Sequence, residues 1–138
     1  MKHDGLFGKC KIFTQGYAYF LFRLLIGLLF LLHSLTKYGV IGGKPAVAVW
    51  SLFGIAGIIE FIVGVLIILG LWTRPAALLG SLEMLYVWFF VHTSKGVWNP
   101  LANGGELAVL FFAAFLVIMV YGAGKWALEK AWSNKEFF

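Results

Sequence analysis

The sequence has a single cysteine, Cys10, among its 138 residues. An internal disulfide is therefore impossible, and so is a metal site held by several cysteines. The same count excludes disulfide-forming membrane enzymes of the four-helix kind, because those enzymes relay electrons through a pair of cysteines. No haem-attachment motif is present, since that motif also needs two cysteines.

Charged residues are scarce as well, at 12% of the chain, whereas soluble domains carry about 25%. Apolar residues make up 62% and aromatic residues 18%. This composition predicts an integral membrane protein, and the length allows one domain. The net charge of +5 does not indicate nucleic-acid binding, because the basic residues lie between and beside long apolar runs. The expected partner is the lipid bilayer.

Four apolar segments approach or exceed the length of about 20 residues that a membrane-spanning helix needs. They lie at about 17–36, 47–71, 76–91 and 105–121. The sequence therefore predicts an all-α bundle of four transmembrane helices over 17–121. Residues 1–16 are predicted to form an interfacial N-terminal segment. Residues 122–138 are predicted to form an amphipathic tail, anchored at the interface by its Trp and Lys residues.

Basic residues predict the orientation of the bundle. The amino-terminal segment, the 72–75 turn and the tail hold seven of the eleven Lys and Arg residues, and the opposite side holds three. Basic loops stay on the cytoplasmic side, so both termini are expected in the cytoplasm. The first apolar run is long and no small-residue cleavage site follows it, so no signal peptide is expected.

An acidic residue, Glu60, lies in the middle of the second apolar segment. A carboxyl at that depth costs a few kcal/mol if it faces lipid, so it is expected to face protein or water. At about 100° per residue, the same side of the helix also holds Phe53, Gly57, Gly64 and Ile67. Small residues allow close helix approach, so this side is predicted to face the other helices.

The first helix has a matching stripe that is predicted to face the bundle. It contains Arg23, Gly27, Phe30, Ser34 and Lys37, with His33 at its edge. In the third helix, Glu83 is predicted to share a face with Gly80, Val87 and Phe90.

Arg23, Glu60 and Glu83 form a candidate cluster for proton exchange or ligand binding. Arg23 and Glu83 are each predicted to lie about 10 Å from the cytoplasmic helix ends, where they can pair. The alternative is a buried salt bridge from Arg23 to Glu83 or Glu60 that only fixes helix packing. One base facing two acids leaves one acid either protonated or available to a ligand. A protonated carboxyl beside an aromatic-lined cleft would suit a quinone or quinol.

Candidate ligand-binding residues on the opposite side are His33, Lys37, His92, Asn103 and Glu106. Asn103 and Glu106 also fit a capping box, in which Asn precedes Glu by three residues at a helix start. His33 and His92 could hold a haem between the first and third helices. A quinone ring hydrogen-bonded by one histidine is favoured over a haem, because histidines at membrane helix ends are more often interfacial or hydrogen-bonded.

Three runs together resemble the DoxX family. They are R-L-L-I-G-L-L-F-L-L-H-S-L-T-K-Y from Arg23, E-F-I-V-G-V-L-I-I-L-G-L-W-T-R-P-A-A-L from Glu60, and N-G-G-E-L-A from Asn103. The family pattern is matched at Arg23, Gly27, His33, Lys37, Glu60, Gly64, Arg74 and 103–106, while Ser34 stands where the family often has Gly. The resemblance implies a four-helix protein of the bacterial or archaeal cytoplasmic membrane. Members are commonly described as oxidoreductase subunits, and the archetype resembles a small subunit of a thiosulfate:quinone oxidoreductase.

The leading hypothesis is therefore a membrane subunit of a quinone-linked redox complex, with its ligand near Arg23, His33, Glu60 and Glu83. No intrinsic cofactor is expected, so electrons would come from another membrane or soluble redox subunit. The first alternative is a non-catalytic accessory subunit packed against a larger membrane complex. The second is a small proton-linked transporter that self-associates and uses Glu60 as its coupling residue.

Overall fold

A computed structural model of the chain describes residues 6–43 and 45–133, and every regular element in those ranges is helical. The α-helices are α1 (Leu6–Lys37), α2 (Leu52–Leu69), α3 (Thr73–Tyr86), α4 (Pro100–Asn103), α5 (Glu106–Tyr121) and α6 (Leu128–Ser133). A π-helix, Val87–His92, and a 3-10 turn, Thr93–Lys95, continue α3. The prediction of an all-α membrane fold is confirmed for this part of the chain.

Three helical segments are long and apolar enough to cross a membrane. They are Gly16–Lys37, Leu52–Leu69 and Thr73–His92. The fourth apolar helix, α5, has only 16 residues, short of the about 20 that span a bilayer core. At the amino-terminal end, α1 begins at Leu6, within the segment predicted to be interfacial. Residues 1–5 of that segment and 134–138 of the predicted tail lie outside the described residues.

The bundle consists of two antiparallel helix pairs, with α1 packed along α2 and α3 packed along α5. Glycines bring the first pair into backbone contact: a Cβ on Gly64 would lie 2.9 Å from the Leu31 amide nitrogen and 3.0 Å from the Gly27 carbonyl oxygen. In the second pair, a Cβ on Gly80 would lie 2.8 Å from the Phe115 ring. Small residues thus set the helix separation in both pairs.

A short turn joins the two pairs at the end of the bundle where α1 begins. Gly70 ends α2 with a φ of 66°, and its amide donates to the Ile67 carbonyl. This left-handed conformation favours glycine. Because α3 starts at Thr73, α2 and α3 run antiparallel, as the short Gly70-to-Pro75 connection predicts.

Three aromatic rings form the centre of the core. Phe30 of α1 lies edge-on to Phe115 of α5, with centroids 4.8 Å apart, and 5.3 Å from the Phe111 ring. The predicted inward stripe of α1 is confirmed, since Arg23, Phe30 and Ser34 are fully buried. The opposite face of α1 exposes leucines, as a lipid-facing surface would: Leu21, Leu25, Leu28 and Leu29.

The π-helix rotates the end of α3 away from its predicted register. In a continuous α-helix, Phe90 lies seven residues from Glu83 and shares its face. Phe90 is instead 65% exposed, so its predicted inward position is wrong. The reason is that a π-helix takes more residues per turn than an α-helix. Val91 and His92 turn inward in its place.

Candidate ligand cavity

A cavity of about 690 Å³ lies between α1, α2, α5 and the continuous segment of α3 and the π-helix. Most of its lining is apolar and includes Ile59, Met84 and Phe111. Its volume falls within the about 300–1,000 Å³ of small-molecule sites in proteins. The ionisable side chains that line it are His33, Lys37, Glu60, Glu83, Tyr86 and His92. The fold therefore brings most of the predicted site residues into one space.

Lys37 and Glu60 form an ion pair in this cavity, with 2.9 Å between Lys37 Nζ and Glu60 Oε1. Lys37 ends α1 at about the level of Gly54 of α2. Glu60 lies about 9 Å deeper along α2 than Gly54, so the Lys37 side chain must reach inward to meet it. Gly54 marks the level of the helix end, since its carbonyl accepts a 2.6 Å hydrogen bond from the Tyr38 hydroxyl. The second carboxyl oxygen, Oε2 of Glu60, is buried and has no hydrogen-bond partner among the described residues.

Glu83 reaches the cavity from α3. Its side chain is buried, and neither carboxyl oxygen has a hydrogen-bond partner among the described residues. Buried polar atoms in folded proteins are nearly always hydrogen-bonded, so such an atom beside a cavity calls for a partner. Glu83 is therefore positioned to receive a hydrogen bond from whatever occupies the cavity.

Two histidines complete the polar lining. His92 Nδ1 lies 3.1 Å from the Asn103 carbonyl oxygen. A carbonyl can only accept, so Nδ1 carries the hydrogen, and Nε2 of a neutral ring is an acceptor. His92 faces the cavity because one turn of the π-helix separates it from Val87, another lining residue. His33 lies edge-on to Phe111, with 5.5 Å between the ring centroids.

Exposed apolar side chains form one edge of the cavity. Phe53 and Ile55 of α2, and Leu79, Leu82 and Tyr86 of α3, line the cavity while 44–54% of each remains exposed. The cavity therefore opens between α2 and α3, on the side of the bundle that faces lipid in a membrane. Phe53, predicted to face the other helices, lies at this opening instead.

Arg23 does not belong to the cavity, so its predicted pairing with Glu83 or Glu60 is wrong. Its Nη2 donates to the Trp126 carbonyl at 3.1 Å, and its Cζ lies 5.7 Å from the Phe20 ring centroid. Helix α1 begins eleven residues before the predicted helix start, and Arg23 lies level with Gly70 at the α2–α3 turn. Glu83 lies ten residues into α3, about 15 Å farther along the bundle.

Asn103 and Glu106 do not form the predicted capping box. Gly104, with a φ of 74°, ends α4 at Asn103, and α5 begins at Glu106 after Gly105. The Asn103 side chain accepts from the Gly105 amide at 2.7 Å and donates to the Val97 carbonyl at 2.8 Å. Glu106 is exposed on the first turn of α5. Both residues lie outside the cavity lining, although the Asn103 carbonyl orients His92.

Comparisons with known proteins place the chain in a family. The DoxX family model matches residues 18–93, more than half of the chain. This chain belongs to the DoxX family. An uncharacterized protein of Haemophilus influenzae is 41% identical over 120 residues, which cover 82% of this DoxX chain and 89% of the relative. A second uncharacterized protein of that organism is 31% identical over 70 residues, which cover 51% and 46%. No solved structure matches.

The DoxX match includes every ionisable residue of the cavity lining and stops just after the last of them, His92. Asn103 and Glu106 fall beyond the matched residues. Sequence reasoning missed the pairing of Lys37 with Glu60 and the contact of Arg23 with the Trp126 carbonyl. The pairing of Lys37 with Glu60 could have been predicted, because Lys37 continues the inward stripe of α1 through Ser34 at helical spacing.

Proposed function

We propose that this DoxX protein is the membrane subunit of a quinone-linked oxidoreductase, and that its cavity binds the quinone-type ligand. The observation that supports this proposal is the combination of an apolar cavity and buried carboxyl oxygens without partners, at Glu60 and Glu83. Ligand sites in proteins commonly pair an apolar lining with a few convergent polar groups that orient the ligand.

The shape of the cavity favours an amphiphile over a water-soluble compound. Its polar end holds Lys37, Glu60, Glu83 and His92, and its opening is apolar and lies between α2 and α3. A ring with oxygen substituents would occupy the polar end, and its hydrocarbon chain would leave between Leu79 and Leu82 and the facing side chains of α2. A ligand of this kind reaches the site from within the bilayer.

The proposal includes four membrane spans, cytoplasmic termini and the cytoplasmic membrane of a prokaryote. The excess of basic residues at the end of the bundle with the termini supports that orientation. It also includes a partner redox subunit, because a chain with one cysteine and no haem-attachment motif has no evident carrier of its own for electrons. Lys37, Glu60, Glu83 and His92 would bind and orient the ligand.

Gentle purification of the full chain, followed by solvent extraction and mass spectrometry, tests the proposal. We expect quinone or quinol to copurify, and a short-chain benzoquinone to quench the fluorescence of the six tryptophans in a saturable way. Glu83→Gln should weaken binding of the quinol about tenfold, the effect of one hydrogen bond from a ligand hydroxyl to a charged group. Glu106→Gln, which changes an exposed acid outside the cavity, is the matched control.

A different result would redirect the assignment. If the purified protein carries no quinone, binds none on titration and copurifies stoichiometrically with a large complex, the redox-subunit proposal is wrong. The accessory-subunit hypothesis would then account for the protein, provided that Glu83→Gln leaves the complex unchanged. Thermal unfolding of each variant shows whether a binding loss reflects the cavity or the fold.

A further inference from the structure

Among the described residues, the buried polar atoms of the cavity lining that lack a partner are all carboxyl oxygens, which accept hydrogen bonds. Glu60 Oε2, Glu83 Oε1 and Glu83 Oε2 are buried, and none has a hydrogen-bond partner within the described part of the chain. Nε2 of a neutral His92 adds a fourth acceptor, because Nδ1 of that ring donates to the Asn103 carbonyl. These atoms belong to residues that line the same cavity.

The need for a hydrogen-bond donor does not depend on the protonation of Glu83. A proton on that carboxyl turns one oxygen into a donor and leaves the other oxygen, Glu60 Oε2 and His92 Nε2 as acceptors. The Lys37 ammonium uses one of its three N–H donors on Glu60 Oε1, at 2.9 Å, and keeps two. A ligand that can only accept hydrogen bonds can bind these donors, but it leaves the buried carboxyl oxygens without a hydrogen-bond donor.

A ligand with hydroxyl groups would satisfy the buried oxygens, since each hydroxyl donates one hydrogen bond. A neutral dihydroxy ring combines the required donors with the apolar surface that the rest of the lining contacts.

We infer that this cavity binds the reduced, dihydroxy form of its quinone-type ligand in preference to the oxidised form. The inference rests on the proposed function, to which it adds the redox state of the ligand. The carboxyl oxygens of Glu60 and Glu83 accept from the two hydroxyls of the quinol. The carbonyl oxygens of the quinone cannot donate to them.

Anaerobic titration of the wild-type protein in nanodiscs with one short-chain benzoquinone, in its reduced and its oxidised form, tests the inference. We expect the quinol to bind at least tenfold more tightly. A tenfold preference would raise the midpoint potential of the bound ligand by about 30 mV, since the couple transfers two electrons. Redox titration of the bound ligand is an independent readout of the same preference.

A redox-inert analogue of the quinol gives a second test, which needs neither the oxidised ligand nor a protein variant. The dimethyl ether of the same quinol keeps the ring and chain but loses both donors, so it should bind at least tenfold more weakly than the quinol. Glu83→Leu removes two of the buried acceptors, so it should weaken quinol binding about tenfold and remove most of the preference for the quinol. Glu106→Gln, which changes an exposed acid outside the cavity, should alter neither quinol binding nor the preference for the quinol.

The outcomes separate this inference from the proposed function. If both forms bind equally, or the quinone binds more tightly, the inference is wrong while the quinone site stands. Equal binding of the quinol and its dimethyl ether would also overturn it. If neither form binds, the proposed function fails, and the inference fails with it.

Discussion

Two cations, Arg23 buried and Lys37 partly buried, lie at opposite ends of the bundle, and their surroundings differ. Arg23 is fully buried at the end where α1 begins, with its Nε and Nη1 atoms lacking partners among the described residues. Lys37 lies at the other end, paired with Glu60 beside carboxyl oxygens that also lack partners. Both ends therefore contain unsatisfied polar atoms, and the cavity described above lies at the Lys37 end.

The comparison shows that an unsatisfied buried group indicates a binding site only where the packing leaves room. Around Arg23 the room is taken by Gly70 and Ala127, and the Phe20 ring faces the guanidinium. Around Glu60 and Glu83 there is a cavity of about 690 Å³. We interpret Arg23 as a residue that holds the carboxyl-terminal segment on the bundle through the Trp126 carbonyl. The cavity at the Lys37 end is the proposed ligand site.

The largest expected effect tests the close packing at the Arg23 end. A Cβ on Gly70 would collide with Arg23 Nη1 and lie 2.9 Å from Ala127 Cα. Gly70→Ala should therefore lower the free energy of unfolding by about 3–4 kcal/mol, combining the cost of a left-handed alanine with overpacking. Unfolding in mixed micelles measures the change.

Gly43→Ala is the matched control for the Gly70 variant. Gly43 has a φ of 64°, nearly the same as the 66° of Gly70, but no atom of the residues that the structure describes lies within 4 Å of its Cβ position. Only the backbone cost of about 1–2 kcal/mol should remain there. Equal losses for the two variants would show that the Arg23 end is not tightly packed.

The second-largest expected loss of unfolding free energy comes from the Lys37–Glu60 ion pair at the other end of the bundle. Lys37→Met leaves the Glu60 carboxyl buried without its partner, which costs about 3–5 kcal/mol in fully buried pairs. Lys37 is 24% exposed, so solvent screening should reduce the loss of unfolding free energy to about 2 kcal/mol. The double variant Lys37→Met/Glu60→Gln should recover most of it. Strictly additive single losses in this double-mutant cycle would mean that the pair contributes no net stability.

Much of this contrast could not be predicted from the sequence, for a definite physical reason. The stripe of Arg23, Phe30 and Ser34 was predictable, because helical periodicity decides which residues face inward. So was the inward position of Glu60, since a carboxyl is costly in lipid. The partner of Arg23 was not, because Trp126 reaches it only after the chain has passed through four more α-helices and returned.

Local backbone geometry accounts for the other errors. Gly104 breaks the chain between Asn103 and Glu106, so a motif with the spacing of a capping box does not form one. The π-helix has no evident signal in the letters V-W-F-F-V-H, since tertiary packing decides such insertions. As a result, periodicity placed Phe90 inward and gave no reason for His92 to share the cavity with Glu83.

The third prediction concerns the opening of the cavity and changes ligand affinity instead of stability. Leu82 lines the cavity and is 54% exposed, whereas Leu78 is 47% exposed on α3 without lining it. Leu82→Trp should fill the opening and weaken binding of a long-chain quinol about tenfold, or about 1.4 kcal/mol. Leu78→Trp should leave the affinity unchanged. Equal affinities for both variants would place the entrance elsewhere.

The smallest expected effect tests the register that the π-helix imposes. Phe90 is 65% exposed, so Phe90→Ala should change the free energy of unfolding by no more than about 0.5 kcal/mol. Phe111, at 3% exposed, is the buried comparison, and Phe111→Ala should cost about 3–5 kcal/mol. If α3 instead continued as an α-helix through residue 92, Phe90 would face inward with Glu83, and its loss would approach that of Phe111. A near-neutral Phe90→Ala would thus support the rotation that brings His92 to the cavity, and a large loss would remove His92 from the site.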